Sequence, residues 1–484
     1  RVQSLTDDGK LSFQILQVND VYEIAPLENG RVGGMARVAQ LKKEMLAKNP
    51  NTIAVLAGDF LNPSVIGALK QEGKRISGKQ MVEAMNVAGI DLVTFGNHEF
   101  DVKEHELMAR LEESDFEWIG SNVLHQTQQG TKPFQRRGSD VPEYVIQTFE
   151  DADGTKVKVG FISTTITSNP KDYVQYEDVF EEIKRLYKLV APEVDLVLAI
   201  THLKEEDDLK VAKILPKVPL LMGGHDHHNM KIPVRKTVLT KADANAKSAY
   251  WHTIHFDKGK ITIDSELKEL NEHVELDAET DKVVQKWMAV ANDLLEKNGI
   301  NPERVITKLS KPMDAREAIV RHQPTAISDL ITEAYLSASP EADGAILNCG
   351  SIRIDDILEG TLTEYDIVRT LPFGGSIYTV KMKGKLLEKI VKIGRTKNVG
   401  TGGFLALANI SFDEQEEIVR INGQLVQANQ NYQIAMPDFL MTGYESNLNF
   451  LTPNNPDVLA VFKEDINGKR RDARLTVIHF LEEQ

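Results

Sequence analysis

The chain has 484 residues, too long for one ordinary core, so two large domains are expected; 41% apolar and 27% charged residues are the proportions of a water-soluble globular protein. A net charge of −15 argues against a surface for nucleic-acid polymers, but not against a small anionic substrate, because a few local Arg residues or metal ions dominate the field of a pocket. The single cysteine, Cys349, excludes an internal disulfide and a Cys-based zinc site, and no apolar run reaches the ~18 residues of a membrane-spanning helix.

The chain opens on a polar stretch, RVQSLTDDGK, with no initiator Met and no apolar leader. The reading is a mature exported protein that lost a leader, or a trimmed chain. A periplasmic or extracellular location is expected, with a cytoplasmic one left open.

From residue 11 to about 265, strand-like runs alternate with helical patterns, which predicts a layered α/β domain. FQILQVND ends at Asn19-Asp20, and the following GMARVAQLKKEMLAKN places Val38, Leu41 and Met45 on one helical face. NTIAVLAGD ends at Asp59 and leads to a second helical stretch that closes near Gly89. IDLVTFGNHE ends at Asn97-His98-Glu99, before the helical VKEHELMARLEES. VDLVLAITH ends at His202, and VPLLMGGHDHH ends at His225, Asp226, His227 and His228. SAYWHTIHFDKGKITIDSELKEL reads as a hairpin turning at Asp257–Gly259. The five runs that end in Asp, Asn or His are short and rich in Val, Ile and Leu, which suits strands buried on both faces. In an open α/β sheet, ligands gather at the carboxyl ends of the strands. Five such ends on one edge predict one site.

DAETDKVVQKWMAVANDLLEKNG repeats Val283, Trp287, Val290 and Leu294 at helical spacing, with Asp277 or Thr280 as its cap and Gly299 as its stop. This helix links two domains or opens the second. The remainder, from about 300, has its own alternation of strands and helices, with turns at Pro340, Gly360 and Pro372.

The residue types at the five ends suit metal chemistry. A carboxylate in a Gly-Asp turn, Asp59, can bridge two cations; Asn97 offers a carbonyl oxygen, and His202, His225 and His227 offer imidazole nitrogens. A mixed nitrogen and oxygen set suits Zn, Mn, Fe or Co better than Ca, and the lack of thiolates fits a catalytic site. Two ions about 3.5–4 Å apart clamp the attacking and leaving oxygens of an in-line phosphoryl displacement. No convincing triad around a Ser or Cys nucleophile is present.

The order Asp20, Gly58-Asp59, Gly96-Asn97-His98-Glu99, His202, Gly224-His225-Asp226-His227 resembles the calcineurin-like metallophosphoesterases. More narrowly, GNHEFD with the downstream SNV is similar to the 5'-nucleotidase family. The resemblance implies a layered β-sandwich flanked by helices over residues 1–268, a linker helix over 269–300, and a second α/β, substrate-binding domain over 301–484. It also implies two divalent ions, drawn from Mn, Zn, Fe, Co or Mg. One would be held by Asp20, Asp59 and His227, the other by Asp59, Asn97, His202 and His225. His98 would lie near the scissile phosphate, oriented by Asp101, and stabilise transition-state charge or the leaving oxygen. Asp226 reads as a loop residue. There is one departure. The family's first motif is usually Asp-x-His, whereas here it is Asp20-Val21-Tyr22. A phenolate at Tyr22 would favour a hard trivalent metal such as iron(III). Alternatively, Tyr22 points elsewhere and water replaces the imidazole.

In the second half, DAREAIVRHQPT, LNCGSIRID, TLPFGGS, GTGGFLAL and MPDFLMTGYES follow one another. On residue type alone, Phe373, Phe404 and Phe439 read as core rather than base-stacking, and Arg316, Arg321 and Arg353 serve equally as solvated or paired groups. In this order the segments resemble the C-terminal domain of the 5'-nucleotidase family, so the likeness runs from about residue 12 to 455. By that resemblance Arg353 binds the substrate phosphate, assisted by Arg321 and Arg316; Phe373 and Phe439 sandwich the base; Gly403 lies in the loop that approaches the nucleoside. The family's PFGN is PFGG here, with Gly375 in place of a base-reading Asn. Its GGDGY becomes Gly443-Tyr444-Glu445, with Glu445 in the position of the ribose-binding Asp. Loss of a hydrogen-bonding amide predicts looser base discrimination or a related substrate.

The expected function is hydrolysis of nucleoside 5'-monophosphates, or related nucleotides, to nucleoside and phosphate by a metal-bound hydroxide. The alternatives are a 2',3'-cyclic-nucleotide phosphodiesterase, a nucleotide-sugar hydrolase, or a non-catalytic nucleotide-binding protein with one metal site weakened.

Overall fold

The computed structural model describes residues 7–28, 30–463 and 468–484; residues 1–6 of the polar start lie outside the described residues. The chain forms two compact units, Arg1–Ala291 and Asn292–Gln484.

The first unit is built on twelve principal strands. Those of its first half are β1 (Lys10–Val18), β2 (Thr52–Leu56), β3 (Leu92–Thr94), β4 (Glu117–Ile119), β5 (Tyr144–Glu150) and β6 (Lys156–Thr165). Those of its second half are β7 (Leu196–His202), β8 (Leu220–Gly223), β9 (Met230–Val234), β10 (Thr237–Lys241), β11 (Ser248–Asp257) and β12 (Lys260–Glu269). They form two six-stranded sheets, ordered β12-β11-β1-β2-β3-β4 and β5-β6-β7-β8-β10-β9. The five apolar runs are therefore not neighbours on one sheet edge. β1, β2 and β3 run parallel in the first sheet, and β7 and β8 run parallel in the second. The hairpin turns where expected, with Asp257 opposite Lys260.

Alternation explains the continuous apolar runs. Phe13 and Ile15 of β1, Leu198 and Ile200 of β7, and Leu220 and Met222 of β8 share one core between the sheets. Phe13 stacks on Phe149 of the opposite sheet with ring centroids 4.2 Å apart. The alternate residues Val197, Ala199 and Leu221 turn outward. They pack with α1 (Val179–Val190) and α2 (Glu205–Ile214) through Ile183, Leu186 and Val211. β7 and β8 are thus covered on both faces, once by a sheet and once by helices.

A satisfied polar strap joins the sheets near the ends that carry the ligands. Gln17 of β1 donates to the carbonyls of Gly223 (3.2 Å) and Thr240 (2.9 Å), and accepts from the Thr240 hydroxyl (2.7 Å) and His252 Nε2 (2.8 Å). Asn19 exchanges a pair of bonds, 3.0 and 2.7 Å, with the backbone of Ala242. A buried network with every partner supplied rigidifies the junction.

Asp277 caps the helix Ala278–Glu296, accepting from the Thr280 amide at 2.9 Å. Its buried stripe is Val284, Trp287, Ala291 and Leu295; Val283, Val290 and Leu294 flank it, half-buried. The second unit centres on a five-stranded sheet. Its order is Leu405–Ala408, Gly344–Asn348, Asn431–Pro437, Ile377–Lys383, Val458–Phe462. The helix Gly384–Arg395 packs on that sheet through Leu387, Ile390 and Val391. Among the described residues no helix is long and apolar enough to cross a membrane.

Candidate active site

Each candidate ligand follows or closes a strand of the first unit. Asp20 follows β1, Asp59 follows β2, Asn97 follows β3, His202 is the last residue of β7, and His225 and His227 follow β8. Asp20, Asp59 and His225 sit at φ 52, 59 and 78, a left-handed backbone region that L side chains rarely adopt. Such strain concentrates at functional sites, where the surroundings over-determine it. The loops approach so closely that a Cβ on Gly96 would collide with the Asp59 carboxylate.

The side chains converge. Asp59 Oδ1 accepts from the His98 amide at 2.8 Å, and its Oδ2 faces His202 Nε2 at 3.1 Å. Asp20 Oδ2 accepts from Asn19 Nδ2 (2.8 Å) and the His225 amide (2.9 Å). Its Oδ1 is 3.4 Å from His227 Nε2 and 4.0 Å from His202 Nε2. His225 Nδ1 lies 3.1 Å from Asn97 Oδ1. His202 Nδ1 donates to the Ala57 carbonyl at 2.7 Å, which leaves the lone pair on Nε2 and aims it inward.

The donor chemistry fits a cation. Asp20 Oδ1 and His202 Nε2 are buried without a hydrogen-bond partner, an expensive state for polar atoms unless a ligand binds them. Ligand atoms of Asp59, His202 and His225 all lie within 4.8 Å of one another. Burial would raise the Asp59 pKa, but His202 and His98 hold it well below the usual carboxylate range. Burial opposes the charge on His202 as well, yet Asp59 and Asp20 raise it to about 10. Burial, and then His202, push His225 down to about 4. An ionised Asp59 and a neutral His225 are the states a metal ion requires, and an arriving cation would displace the proton that the two carboxylates hold on His202.

His98 and Asp101 meet, with Nδ1 donating to Asp101 Oδ2 at 2.6 Å. Asp101 is itself held by Asn62 Nδ2 (3.1 Å) and Asn169 Nδ2 (2.9 Å). Tyr22 does not point elsewhere. It is 6% exposed, and its hydroxyl donates to Asp59 Oδ2 at 3.2 Å and lies 3.0 Å from His227 Nε2.

Two supports escaped the sequence reading. Glu99, fully buried, accepts the backbone amides of Asp59 (2.8 Å), Phe60 (2.7 Å), Leu61 (3.2 Å) and Gly96 (2.6 Å). It clamps the Asp59 turn to the loop of Asn97, and burial, with Asp59 next, pushes its pKa up to about 7. Lys241, also fully buried, donates to the carbonyls of Leu203 (2.6 Å) and Gly224 (2.8 Å), to Asp226 (2.6 Å), and pairs with Asp208 (2.7 Å). It ties the His202 loop to the His225 loop, so Asp226 is an anchor rather than a plain loop residue. The sequence marks only that a lysine closes the strand TVLTK, not what it binds.

The second unit gathers most of its candidates. Arg321 accepts the Gly400 amide on its carbonyl at 2.8 Å, and Gly350, between Asn348 and Arg353, donates to the Gly402 carbonyl at 2.7 Å. Glu445 is 8% exposed and accepts from Asn348 Nδ2 at 2.8 Å. A Cβ on Gly403 would lie 3.0 Å from Glu445 Oε1. Phe373 and Phe439 are 42% and 41% exposed, so neither ring is core. Their turns are joined by two bonds between Ser376 and Asp438, of 2.9 and 3.0 Å. Arg316 is held by both carboxylate oxygens of Asp314 (3.0 and 2.6 Å), and Arg321 pairs with Glu317 at 2.5 Å.

Comparison with known proteins agrees with both halves. The calcineurin-like phosphoesterase family matches residues 13–229, and the 5'-nucleotidase C-terminal domain family matches residues 305–451. The chain belongs to the 5'-nucleotidase family. It is a metal-dependent phosphoester hydrolase with the two-domain α/β architecture of that family. The 5'-nucleotidase of Vibrio cholerae is 24% identical over 90% of this chain and 86% of its own length. The trifunctional nucleotide phosphoesterase protein YfkN of Bacillus subtilis is 25% identical over 84% of this chain, which spans only 29% of that protein. Among solved structures, the 5'-nucleotidase precursor of Thermus thermophilus superposes with TM-score 0.75 at 20% identity, covering 98% of this chain and 96% of that one. The sulfate thiohydrolase SoxB of Thermus thermophilus reaches 0.68 at 13% identity, covering 97% and 94%, so the fold alone does not select a substrate.

Within this 5'-nucleotidase-family chain, the change from PFGN to PFGG is built into the backbone. Gly375 has φ 91, and a Cβ there would lie 2.8 Å from Asp438 Oδ1. An Asn at this position would be strained and crowded.

Proposed function

We propose that this chain hydrolyses nucleoside 5'-monophosphates, or closely related nucleotides, to nucleoside and phosphate at a centre of two divalent ions. The observation that carries the reading is the buried Asp20 Oδ1 and His202 Nε2, bare of hydrogen bonds and ringed by ligand-type side chains from five strand ends. Asp20, Asp59 and His227 would hold one ion, and Asp59, Asn97, His202 and His225 the other. Bound there, divalent ions supply an activated water and neutralise phosphate charge.

The chain's own residues do the rest. Asp101 accepts a hydrogen bond from the Nδ1–H of His98 and so fixes which ring nitrogen faces the substrate. His98 then offers a positioned donor to the phosphate or the leaving oxygen. Arg353 and Arg321 take the phosphate, assisted by Arg316; Arg321 is paired with Glu317 and Arg316 with Asp314. Phe373 and Phe439 present exposed aromatic faces of the kind on which bases stack. Glu445 offers a buried carboxylate as acceptor for sugar hydroxyls. An exported location is in keeping with relatives named snake venom 5'-nucleotidase.

A phosphate-release screen over nucleoside 5'-monophosphates, cyclic nucleotides and nucleotide sugars tests the reading. The expected result is the highest kcat/KM on a 5'-monophosphate, with His98→Ala lowering kcat by about 10²–10³-fold while metal content is kept. No phosphate from any substrate in the metal-loaded protein overturns it.

A further inference from the structure

Tyr22 stands among the ligand atoms without being a good ligand itself. Its backbone amide donates to Asn245 Oδ1 at 3.0 Å, and the Asn245 amide donates to the Asp20 carbonyl at 2.8 Å, so the turn that carries the ring is pinned. The ring meets His227 edge-on with centroids 5.4 Å apart. The hydroxyl contacts Asp59 Oδ2 and His227 Nε2, two atoms of one proposed ligand set. An imidazole nitrogen has a single in-plane position, which serves either the hydroxyl or an ion, but not both.

The other ligand set differs. His202 has Nδ1 satisfied by Ala57 and Nε2 bare. The contacts to be exchanged there, His225 Nδ1 with Asn97 Oδ1 and His202 Nε2 with Asp59 Oδ2, both at 3.1 Å, each lie between two ligands of the same ion. An ion replaces each with bonds to both partners; Tyr22 reaches this set only through the shared Asp59, whereas in the first set it also occupies the ligand nitrogen of His227.

We infer that Tyr22 makes the two ion sites unequal. Its hydroxyl competes for Asp59 and His227, so the ion on Asp20, Asp59 and His227 binds weakly and exchanges, while the ion on Asp59, Asn97, His202 and His225 is retained. The inference rests on the ligand assignment proposed above. Its consequence is an enzyme whose working state follows the concentration of free divalent cation.

The test is equilibrium binding of MnCl₂ alone to the chelator-stripped full chain, followed calorimetrically and by the electron paramagnetic resonance of Mn²⁺. The wild type should give two dissociation constants at least about tenfold apart. Tyr22→Phe, near-isosteric, removes two hydrogen bonds and should tighten the weaker constant by about tenfold with the stronger one unmoved. Tyr22→His adds a ligand and should tighten it further. Equal constants in the wild type, or a Tyr22→Phe variant whose weaker constant is unchanged or worsened, overturn the inference; worsening would make the hydroxyl a ligand. Failure of the ligand assignment looks different: no Mn²⁺ binds, or His202→Ala leaves both constants intact.

Discussion

Replacing Asp59 with Asn should lower phosphate release by at least about 10³-fold, roughly 4 kcal/mol of transition-state stabilisation. Asp59 is the one side chain shared by both proposed ion sets, and it is fully buried with each oxygen committed. Oδ1 is anchored by the His98 amide, and Oδ2 faces His202 Nε2. An Asn keeps the shape and can still accept from His98. Its amide nitrogen then faces His202, donates to the lone pair meant for the ion, and removes the bridging charge. Metal content of desalted protein and phosphate release, measured together, check this. Turnover within tenfold of wild type would show that Asp59 bridges nothing.

Glu99→Ala should produce the largest loss of stability, about 3–5 kcal/mol in the metal-free protein. The substitution strands four buried backbone amides, those of Asp59, Phe60, Leu61 and Gly96. It also frees a turn held at φ 59, so Mn²⁺ affinity should fall with stability. Glu99→Gln keeps the volume but turns a donor toward two of the amides, and should recover only part of the loss. Urea unfolding of the three proteins decides the point. A Glu99→Ala variant within about 1 kcal/mol of wild type would mean that Glu99 is not the clamp.

The strand ends were legible because a short Val/Ile/Leu run followed by Asp, Asn or His needs no partner to be recognised. Their division between two sheets was not legible. Val55 of β2 and Leu198 of β7 have the same neighbours in sequence type, and only the shared core shows that they face one another from opposite sheets. The same limit hid Glu99 and Lys241. Their roles consist of bonds to amides and carbonyls of distant loops, and no local pattern encodes those. Tyr22 was conspicuous as a residue, but its direction depends on Asn245, more than two hundred positions away. Arg316 pairs with Asp314 two residues earlier, one of the roles its residue type left open. For Phe373 and Phe439, residue type favoured core, and their exposure overturns that reading.

The most direct test of the account is anomalous diffraction from crystals grown with saturating MnCl₂. The prediction is two manganese peaks about 3.5–4 Å apart on either side of Asp59. One should be ligated by Asp20 and His227, the other by Asn97, His202 and His225. Manganese absent from this cluster, or a single ion that Asp59 does not touch, would contradict the account.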